Sequence, residues 1–524
     1  MQKKIRFWKI GVFMMPIMLL SGCAAQSALT SQDILSQKIP DPHRTPVTVL
    51  VKSAFSIKSF EAVAEQQFPD LDIIQIGNYT SNMGIAEYEA RLAHDDLADV
   101  MMTWPLHVGD KYWEDRLLDL SALPCTSHYN SARLNNTALN GKLYYLPGPS
   151  QIRAIVYNKT LFRENGWTVP SDFNGFLDLC QEIEQSGIRS LQLGLGNEEV
   201  LDTAFVGYNL ENHFSSPADL QWLTDYNNGK GHFADHFSSA LDTFQALIDH
   251  KILQPHDLAL TYSDRESMIF NRECAMVEDS VLIARMGKDY NGCTDEFGLM
   301  PFFNPGSESD WARLYPVCYI GLNKHLAEPD NAEKYDLVLR LMDYISSPEG
   351  QLALASDTGA MFSSLNGMLP PDIPEINDLL PALQAGRYSV FPVLKNAQDA
   401  LRQGLAGMVA GNLTGSQVAE MVDKQNAAPL IPKAVPILGE ADADFTMIET
   451  GSFVTDSMKK SSGCDIALFL DNGKDGLFNG KGIGAKLYAG DITEVDLDRI
   501  LPDLRQNETG ELWKVTMTGA DLLR

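Results

Sequence analysis

Residues 141–167, GKLYYLPGPSQIRAIVYNKTLFRENGW, decide how the chain is organised. Their pattern predicts a turn at 141, a strand at 142–146 and a break at 147–149. A second strand is predicted at 153–157 and a short helix at 160–164. Pro147 and Pro149 lack the amide hydrogen that a sheet ladder needs, so the chain must change direction between the two strands. Two strands separated by such a break allow a chain to pass from one lobe to another.

The same residues carry a family resemblance. In bacterial extracellular solute-binding proteins of family 1, which serve ABC importers, the crossover has the pattern Gly-Lys-x-Tyr-x-x-Pro, followed by a hydrophobic strand into Tyr-Asn-Lys-x-x-Phe-x-x-x-Gly. This chain resembles that pattern at Gly141, Lys142, Tyr144, Pro147, Tyr157, Asn158, Lys159, Phe162 and Gly166. The resemblance implies an α/β, two-lobed fold of the periplasmic-binding-protein type II, with a hinge at the crossover. An ordinary α/β strand pair is the alternative interpretation of the stretch.

Later segments extend the resemblance to about residues 47–428. Residues 270–277 resemble the Phe-x-x-Gly-x-Ala-Met segment with which the family's chain returns to its first lobe, although Glu273 stands where the family has glycine. Residues 297–301 and 319–322 continue the match. The resemblance implies capture of a small polar solute, a carbohydrate by class, for an ABC importer permease. A sensor that passes ligand occupancy to a membrane partner shares these features and stays open.

Local patterns inside this body predict alternating strands and helices. The first unit is a βαβ arrangement, with strands at 47–51 and 72–76 and a helix at 58–67 between them, and a further strand follows at 98–102. Further helices are predicted at 172–185, 202–214, 238–249, 332–345 and 394–408, the first of them capped by Ser171. This alternation is typical of an α/β protein.

Composition excludes some classes of protein. The chain has 524 residues, which is room for two to four domains, and 44% of them are apolar, so it can bury sizeable cores. Its formal net charge of −28 argues against a nucleic-acid binder, because such proteins carry a basic surface. Acidity suits an exported protein but says nothing about the ligand.

Residues 1–23 predict a lipoprotein signal peptide. Four basic residues precede an apolar run over 10–20, which is short for a membrane span of about 20 residues. The run ends in Leu-Ser-Gly-Cys at 20–23, which resembles the bacterial lipobox, and Cys23 is the lipidation site that this implies. The protein is then extracytoplasmic and anchored to the cell membrane through lipid. An ordinary secretory signal with a chance cysteine is the alternative.

The remaining boundaries follow from composition. Residues 24–46 are polar with three prolines and predict a tether, 47–428 form the solute-binding body, and 429–436, with three more prolines, predict a linker. Residues 437–524 resemble in order the C-terminal domain of 5′-nucleotidases, with a helix from 451, a strand over 464–469 and Gly-x-Ile-Thr at 490–493. The ending soon after Thr518-Gly519 predicts a truncated domain of this kind.

This second resemblance implies the alternative function, a surface protein that hydrolyses nucleotides or binds nucleosides. The loop at 471–482 lacks the arginine of the family's Gly-Gly-x-Arg substrate loop, and the Asp-x-His and Asn-His-Asp/Glu motifs of the metallophosphatase domain are missing. The same loop departs from an EF-hand at its third and twelfth positions. No catalytic residue, metal or cofactor is therefore predicted. Apart from Cys23, six cysteines remain without a Cys-x-x-Cys pair, and buried thiols are the expected state of most.

Candidate ligand residues are aromatic or acidic, because aromatic faces stack on sugars and carboxylates bond their hydroxyl groups. The candidates are Trp104, Tyr145, Trp222, Asp279, Trp311 and Tyr319. Trp104 follows a predicted strand, and ligands of open α/β sheets collect beyond such strand ends. For every aromatic candidate the alternative is core packing. Closure of the lobes about the crossover would trap the ligand.

Overall fold

The structure is a computed structural model, and it describes residues 5–7, 40–51, 57–77, 81–103, 113–129, 134, 137–139, 141–197, 199–286, 292–306, 310–368, 373–390, 394, 397–427, 436–467, 483 and 485–501. Its strands are β1 Ile5–Phe7, β2 Thr45–Val51, β3 Leu71–Gly77, β4 Val100–Thr103, β5 Ala138–Leu139, β6 Lys142–Leu143, β7 Leu146–Pro147, β8 Ser150–Asn158, β9 Arg189–Gln192, β10 Cys274–Ser280, β11 Phe297–Met300, β12 Phe302–Phe303, β13 Asp310–Pro316, β14 Tyr319–Leu322, β15 Tyr388–Val390, β16 Gly439–Ala441 and β17 Gly490–Ile492.

The α-helices described lie between and after these strands. Their bounds are Lys58–Gln67, Ser81–Ala93, Trp113–Arg116, Lys159–Asn165, Phe173–Gln185, Glu199–Gly207, Leu210–Phe214, Pro217–Asn227, Phe233–Asp249, Tyr262–Phe270, Val281–Met286, Ala332–Ile345, Pro348–Thr358, Leu380–Gln384, Gln398–Val409, Gly415–Ala427, Met447–Ser462 and Glu494–Ile500. The alternation of strands and helices confirms the α/β class.

The first lobe is built on a five-stranded sheet in the order β3-β2-β4-β14-β7. Strands β2, β3 and β4 run parallel, and helix Lys58–Gln67 joins β2 to β3, which confirms the predicted βαβ unit. Val47, Val49 and Ile73 are fully buried in the core on one side of this sheet. The sequences of parallel strands are continuous apolar runs because both faces of such a sheet are covered.

The second lobe is built on a seven-stranded sheet with the main path β12-β13-β8-β10-β9. Strand β8 is its centre and pairs antiparallel with β10, β11 and β13. Helices Phe173–Gln185, Glu199–Gly207 and Phe233–Asp249 bring large apolar side chains to the core on one side of the sheet, including Phe176, Phe205 and Phe244. The second strand of the crossover is therefore the central strand of this lobe.

The predicted crossover is confirmed. Strand β7 belongs to the first sheet and β8 to the second, so the chain changes lobe at Gly148 and Pro149. The backbone amide of Gly148 donates to the carbonyl of Cys318 at 2.8 Å, and the amide of Val317 donates to the carbonyl of Pro149 at 2.9 Å. This first passage of the chain between the two sheets therefore lies against a second passage, at Val317 and Cys318.

The predicted return at 270–277 is wrong. Residues Cys274–Ser280 form β10, which pairs with β8 and β9 inside the second sheet. The chain returns at Val317 and Cys318, between β13 of the second lobe and β14 of the first. The apolar pattern of β10 is that of any buried strand and does not tell which sheet receives it.

A third passage lies at 361–364. The backbone of Ser150 pairs with Phe362, with N···O distances of 2.6 and 2.9 Å, and the hydroxyl of Ser364 donates to the carbonyl of Gly148. Phe362 packs in a second-lobe core, whereas Leu365 packs in a first-lobe core. We call these three adjoining passages, at 148–149, 317–318 and 361–364, the hinge.

Residues 157–159 of the crossover stretch hold the second lobe together. The hydroxyl of Tyr157 donates to Asp378 at 2.7 Å, and the ammonium of Lys159 pairs with the same carboxylate at 3.0 Å. Asn158 caps helix Lys159–Asn165 by accepting from the amide of Leu161, while its amide group donates to Asp295 at 2.7 Å. These three side chains therefore fix the exit of β8, which is a structural role.

The C-terminal segment 436–501 packs on the first lobe. Strands β16 and β17 form a small sheet with β1. Phe445, Leu487 and Ile500 share one hydrophobic core with Leu50 and Met101 of the first sheet. The described part of this segment therefore completes the first lobe. Strand β1 lies in the predicted signal peptide, so this pairing belongs to the uncleaved chain, and the signal peptide itself stays a prediction.

Buried charges strengthen that attachment. Glu87, which is fully buried, accepts from Arg91 at 2.7 Å and from Arg499 at 2.5 Å. Lys486 pairs with Asp96 at 2.6 Å, and together with Arg91 it holds the pKa of that carboxyl below its usual value, against the opposing effect of burial. The segment is thus joined to the first lobe by ion pairs as well as by apolar contact.

Several element predictions need correction. The helix predicted at 202–214 is broken into Glu199–Gly207 and Leu210–Phe214, where Asn209 donates to the carbonyl of Phe205. The cap of helix Phe173–Gln185 is Asp172 instead of Ser171, because its carboxylate accepts from the amide of Gly175. The helix predicted at 394–408 runs over Gln398–Val409, and helix Gly415–Ala427 follows it.

The predicted strand at 464–469 is wrong for the residues described. Residues 464–467 form no strand, and 468–469 lie outside the described part of the chain, as do the loop at 471–482 and Thr518-Gly519. Residues Gly490–Ile492 of the Gly-x-Ile-Thr pattern form β17, and Thr493 is the N-cap of helix Glu494–Ile500. The resemblance to 5′-nucleotidases stays a prediction.

The described cysteines and helices add two findings. Six cysteines are thiols, and Cys125, Cys180 and Cys274 among them are buried, which confirms that prediction. Burial raises the pKa of the Cys180 thiol well above its usual value. Among the helices described, none is both long and apolar enough to cross a membrane. Cys23 lies outside the described residues.

Candidate ligand site beside the hinge

A cluster of charged side chains lies at the hinge end of the second sheet. Strand register sets Arg153 of β8 directly opposite Arg313 of β13 and opposite Ser280 of β10. Arg153 is three residues from Ser150, where β8 leaves the hinge, and Arg313 is three residues before Pro316, where β13 enters it. Since a strand rises about 3.3 Å per residue, both arginines lie roughly 10 Å from the hinge.

Two neighbouring carboxylates complete this group. Glu278 lies 3.5 Å from the guanidinium of Arg153, 3.8 Å from that of Arg313 and 3.9 Å from that of Arg265. Asp279 pairs closely with Arg265 and lies 3.7 Å from Arg153. We call these five residues the charged cluster.

The charged cluster is mostly withdrawn from water. The side chains of Glu278, Arg265 and Arg313 are at most 5% exposed, whereas that of Arg153 is 21% exposed. Burial lowers the pKa of Arg313 to about 10, although the charge of Glu278 opposes this effect. Arg153 is therefore the arginine of the cluster that solvent reaches most easily.

Arg265 is held in place from several sides. It donates to the backbone carbonyls of Leu193 at 3.2 Å and of Glu278 at 2.8 Å, and its guanidinium lies 4.5 Å from the centre of the Tyr262 ring. Together with Asp279 it forms a fixed pair that anchors helix Tyr262–Phe270 to β10. Its role is to support the site.

One oxygen of the cluster has no hydrogen-bond partner among the described residues. Oε1 of Glu278 is buried and makes no hydrogen bond, since its nearest cation is the Arg313 guanidinium at 3.8 Å. Leaving such an acceptor unsatisfied costs about 1–3 kcal/mol, more for a charged group. The negative charge of Glu278 is compensated by the guanidinium groups of the three arginines around it.

The six predicted ligand residues lie in different surroundings. Trp104 is outside the described residues and follows Thr103, the last residue of β4. Tyr145 and Tyr319 are buried in the core that the first lobe shares with the C-terminal segment. Asp279 belongs to the charged cluster. The structure therefore brings Tyr145 and Tyr319 together, but not with Asp279.

The two remaining tryptophans lie in the second-lobe core. Trp311 is 9% exposed, and its indole nitrogen donates to Glu211 at 3.1 Å. Trp222 stacks on Tyr226 and on His236, with ring centroids 4.9 and 4.5 Å apart. Both have the surroundings of core residues, and a role in ligand binding stays a prediction for all six candidates.

The sequence offered a signal for the residues that were missed. Arg153 interrupts the apolar strand Ile152-Arg153-Ala154, and Arg313 interrupts Ala312-Arg313-Leu314 in the same way. A charged residue inside a buried strand needs a partner, so it marks either an ion-pair network or a site.

Among the described residues, no group of three or more His, Cys, Asp and Glu side chains could hold a metal ion.

Comparison with known proteins begins with the sequence. No protein-family profile matches the chain. The Multiple sugar-binding protein of Streptococcus mutans serotype c is 26% identical to it over 98 residues, which is 18% of this chain and 23% of that protein. The match thus spans less than a quarter of the relative's length.

Solved structures are similar over most of the chain. A family 1 extracellular solute-binding protein from Bifidobacterium longum subsp. infantis has a TM-score of 0.60 at 16% identity and covers 73% of this chain and 98% of that structure. The apo form of RafE from Streptococcus pneumoniae gives 0.58 at 14% identity, over 74% and 99%. Maltose-bound MalE3 of T. maritima gives 0.55 at 17% identity, over 73% and 98%. This chain therefore has the two-lobed fold of extracellular solute-binding proteins.

Proposed function

We propose that this protein is a solute receptor that captures a carbohydrate between its lobes and delivers it to an ABC importer permease. The observation that carries the proposal is the hinge, where three passages of the chain join two separate sheets. Lobes joined in this way can close around a guest. The charged cluster beside the hinge supplies the convergent polar groups that a sugar needs.

A carbohydrate is the ligand class that the relatives support. The matched protein of Streptococcus mutans is named a multiple sugar-binding protein, and one similar structure, with a TM-score of 0.57, is a chitin oligosaccharide binding protein. Hydroxyl groups of a sugar both donate and accept hydrogen bonds, so they suit a site with carboxylates and guanidinium groups side by side.

The test is a thermal-shift panel of mono- and oligosaccharides on the purified protein, with sorbitol as a control polyol. A sugar at a hundred times its Kd adds about 2.7 kcal/mol to the free energy of unfolding and should raise the Tm by several degrees. X-ray scattering should then show a smaller radius of gyration, and the sugar should be recovered unchanged. If no saccharide raises the Tm, the proposal fails.

The same preparation tests the alternative function. Incubation with AMP and a divalent cation, followed by a phosphate assay, measures nucleotide hydrolysis. Phosphate release in step with protein concentration would contradict a pure receptor and favour the nucleotidase-like activity of the C-terminal segment.

We further propose that Cys23 carries a lipid and that the protein is extracytoplasmic. The Leu-Ser-Gly-Cys order after an apolar run supports this proposal. In a bacterial expression host, Cys23→Ser should abolish labelling with radioactive palmitate and move the protein from the membrane fraction to the soluble fraction. The variant Cys464→Ser is the matched control, because Cys464 lies far along the chain in the C-terminal segment. Equal labelling of wild type and Cys23→Ser would contradict the anchor.

A further inference from the structure

One edge of the small C-terminal sheet is paired with residues of the predicted signal peptide. Strand β16, Gly439–Ala441, lies between β17 and β1, and β1 is Ile5–Phe7. If the chain is cut before Cys23, β1 is removed and β16 becomes an edge strand. An edge strand presents a row of unpaired backbone N–H and C=O groups, which another strand can join. In the processed chain this edge is therefore a docking surface.

The side chains of β16 and β17 define which strand the edge accepts. Gly439 and Ala441 are buried, and Ala441 belongs to the core that the segment shares with the first lobe. Glu440 is exposed between them and lies opposite the exposed Asp491 of β17. Because successive side chains of a strand alternate between two faces, the edge favours an apolar–basic–apolar sequence. Strand β1 has this sequence, Ile-Arg-Phe, and the register sets its residue 6 opposite Glu440.

Residues 513–518, Trp-Lys-Val-Thr-Met-Thr, have the same pattern. Apolar residues at 513, 515 and 517 alternate with polar ones, which is the period of a half-buried strand, and tryptophan, valine and threonine favour strands. Trp513, Lys514 and Val515 repeat the apolar–basic–apolar order of β1. Set opposite Gly439–Ala441, they bring Lys514 to Glu440 in either strand direction, because Lys514 is the middle residue of the three.

The chain is long enough to reach the edge. Leu501 is the last residue that the structure describes, and Trp513 is twelve residues further along. Twelve extended residues span about 40 Å. Helix Glu494–Ile500, which follows β17, is about 10 Å long. The edge of β16 lies about two strand spacings, roughly 10 Å, from β17. The distance to be bridged is thus well within reach.

We propose that residues 513–518 replace β1 beside β16 once the signal peptide is removed, with Lys514 opposite Glu440. This inference rests on the proposed cleavage before Cys23. The occupant is a segment of the same chain, because its connection to helix Glu494–Ile500 gives it an effective concentration that a second copy does not reach. The signal peptide and the C-terminal strand therefore compete for one edge, and the strand closes the sheet of the processed protein against other chains.

The test is disulfide cross-linking of Glu440→Cys with Lys514→Cys in the chain 24–524, with copper phenanthroline as oxidant and peptide mass spectrometry as readout. Directly opposite residues of neighbouring strands have Cβ atoms about 4.5–5.5 Å apart, which is close to the span of a disulfide. The matched control pairs Lys514→Cys with Lys459→Cys, because Lys459 is exposed in the last turn of helix Met447–Ser462. We expect the link between 440 and 514 within one chain to form at least about tenfold faster than the control link.

The signal peptide should slow this reaction. In the chain 1–524, made by cell-free synthesis so that the signal peptide is retained, the link between 440 and 514 should form at least about fivefold more slowly than in 24–524. Equal rates in the two chains would overturn the competition with β1. Equal rates for the test and control pairs would overturn the proposal, and so would a link found only between two chains, which would place a second copy on the edge.

A second measurement applies if the double cysteine variant does not fold. In the chain 24–524, Lys514→Glu sets a like charge opposite Glu440, so the backbone amides of 439–441 should exchange hydrogen at least about tenfold faster than in the wild type. Lys514→Arg, which keeps the charge, should exchange as the wild type does. Unchanged exchange in Lys514→Glu would contradict the proposal. The palmitate experiment on Cys23 tests the anchor separately, so the two can fail independently.

Discussion

Asp202 is a buried acid whose protonation should tune stability. Its side chain is 2% exposed and pairs with Arg402 at 2.6 Å. Burial raises the pKa of Asp202 to about 6, against the lowering effect of the Arg402 charge. A carboxyl whose pKa is raised on folding binds its proton more tightly in the folded state. Its contribution to stability is therefore present at low pH and is lost as the pH rises from about 4 through about 6.

Asp202→Asn should remove this pH dependence. Between pH 4 and pH 7, the free energy of unfolding of the wild type relative to the variant should fall by up to about 3 kcal/mol. Urea denaturation at both pH values measures the difference. Asp399→Asn is the control, because Asp399 faces the same Arg402 at 3.8 Å but is 84% exposed. A constant difference between wild type and Asp202→Asn across this range would contradict the prediction.

Single residues were the hardest level to predict. The aromatic candidates were chosen because their side chains suit sugars, yet Tyr145 packs against Trp113 and bonds Tyr88 inside a core. Sequence shows the chemistry of a side chain but not whether a neighbouring segment covers it. Arg153 and Arg313 come together through strand register, and they are 160 positions apart in the sequence. Pairing at that distance leaves no local pattern.

Secondary-structure elements were predicted better. Helices Lys58–Gln67 and Ala332–Ile345 and the first crossover follow from local apolar periodicity and from the positions of proline, which act over a few residues. The return to the first lobe was misplaced because β10 and β14 are both short buried strands. Which sheet receives a strand depends on partners that are distant along the chain.

Gly148 is the tightest point of the hinge. A Cβ at this position would lie 2.6 Å from the sulfur of Cys318 and 3.0 Å from its carbonyl oxygen. Gly148→Ala should therefore push two passages apart and destabilise the protein by about 1–3 kcal/mol, with weaker binding of any sugar found in the panel. Urea denaturation and calorimetry measure the two effects.

The matched control is Gly451→Ala in helix Met447–Ser462. There a Cβ would meet nothing closer than Cγ1 of Ile483 at 3.7 Å, which is an ordinary contact, and alanine favours the helix by up to about 1 kcal/mol. Equal stability of Gly148→Ala and Gly451→Ala would mean that the hinge tolerates the extra methyl group.

On the scale of the whole molecule, the C-terminal segment acts as part of the first lobe. Arg499 is 1% exposed and pairs with the fully buried Glu87. Removing one partner of a buried ion pair costs up to about 3–5 kcal/mol, and less than that here because Glu87 keeps its pair with Arg91. Arg499→Met should therefore loosen the segment, with faster cleavage by trypsin within residues 436–501 than in the wild type.

A surface arginine provides the comparison for this variant. Arg340 is 49% exposed and pairs with Asp336 one helical turn away, so Arg340→Met should change stability by less than about 1 kcal/mol. If the two variants were cleaved equally fast, the pair between Glu87 and Arg499 would not hold the segment. Sugar binding at the hinge should survive in both.

Three adjoining connections restrict how two bodies can move. A single connection allows one lobe to rotate freely about it. Three connections that lie side by side, joined by backbone hydrogen bonds between Gly148 and Cys318 and between Ser150 and Phe362, oppose twisting. Bending is then the motion that costs the least free energy. Opening and shutting would then follow one arc. In the proposed receptor, the two halves would keep one orientation about their long axis along that arc, and the proposed permease would meet them at one angle in the loaded state and at another in the empty state.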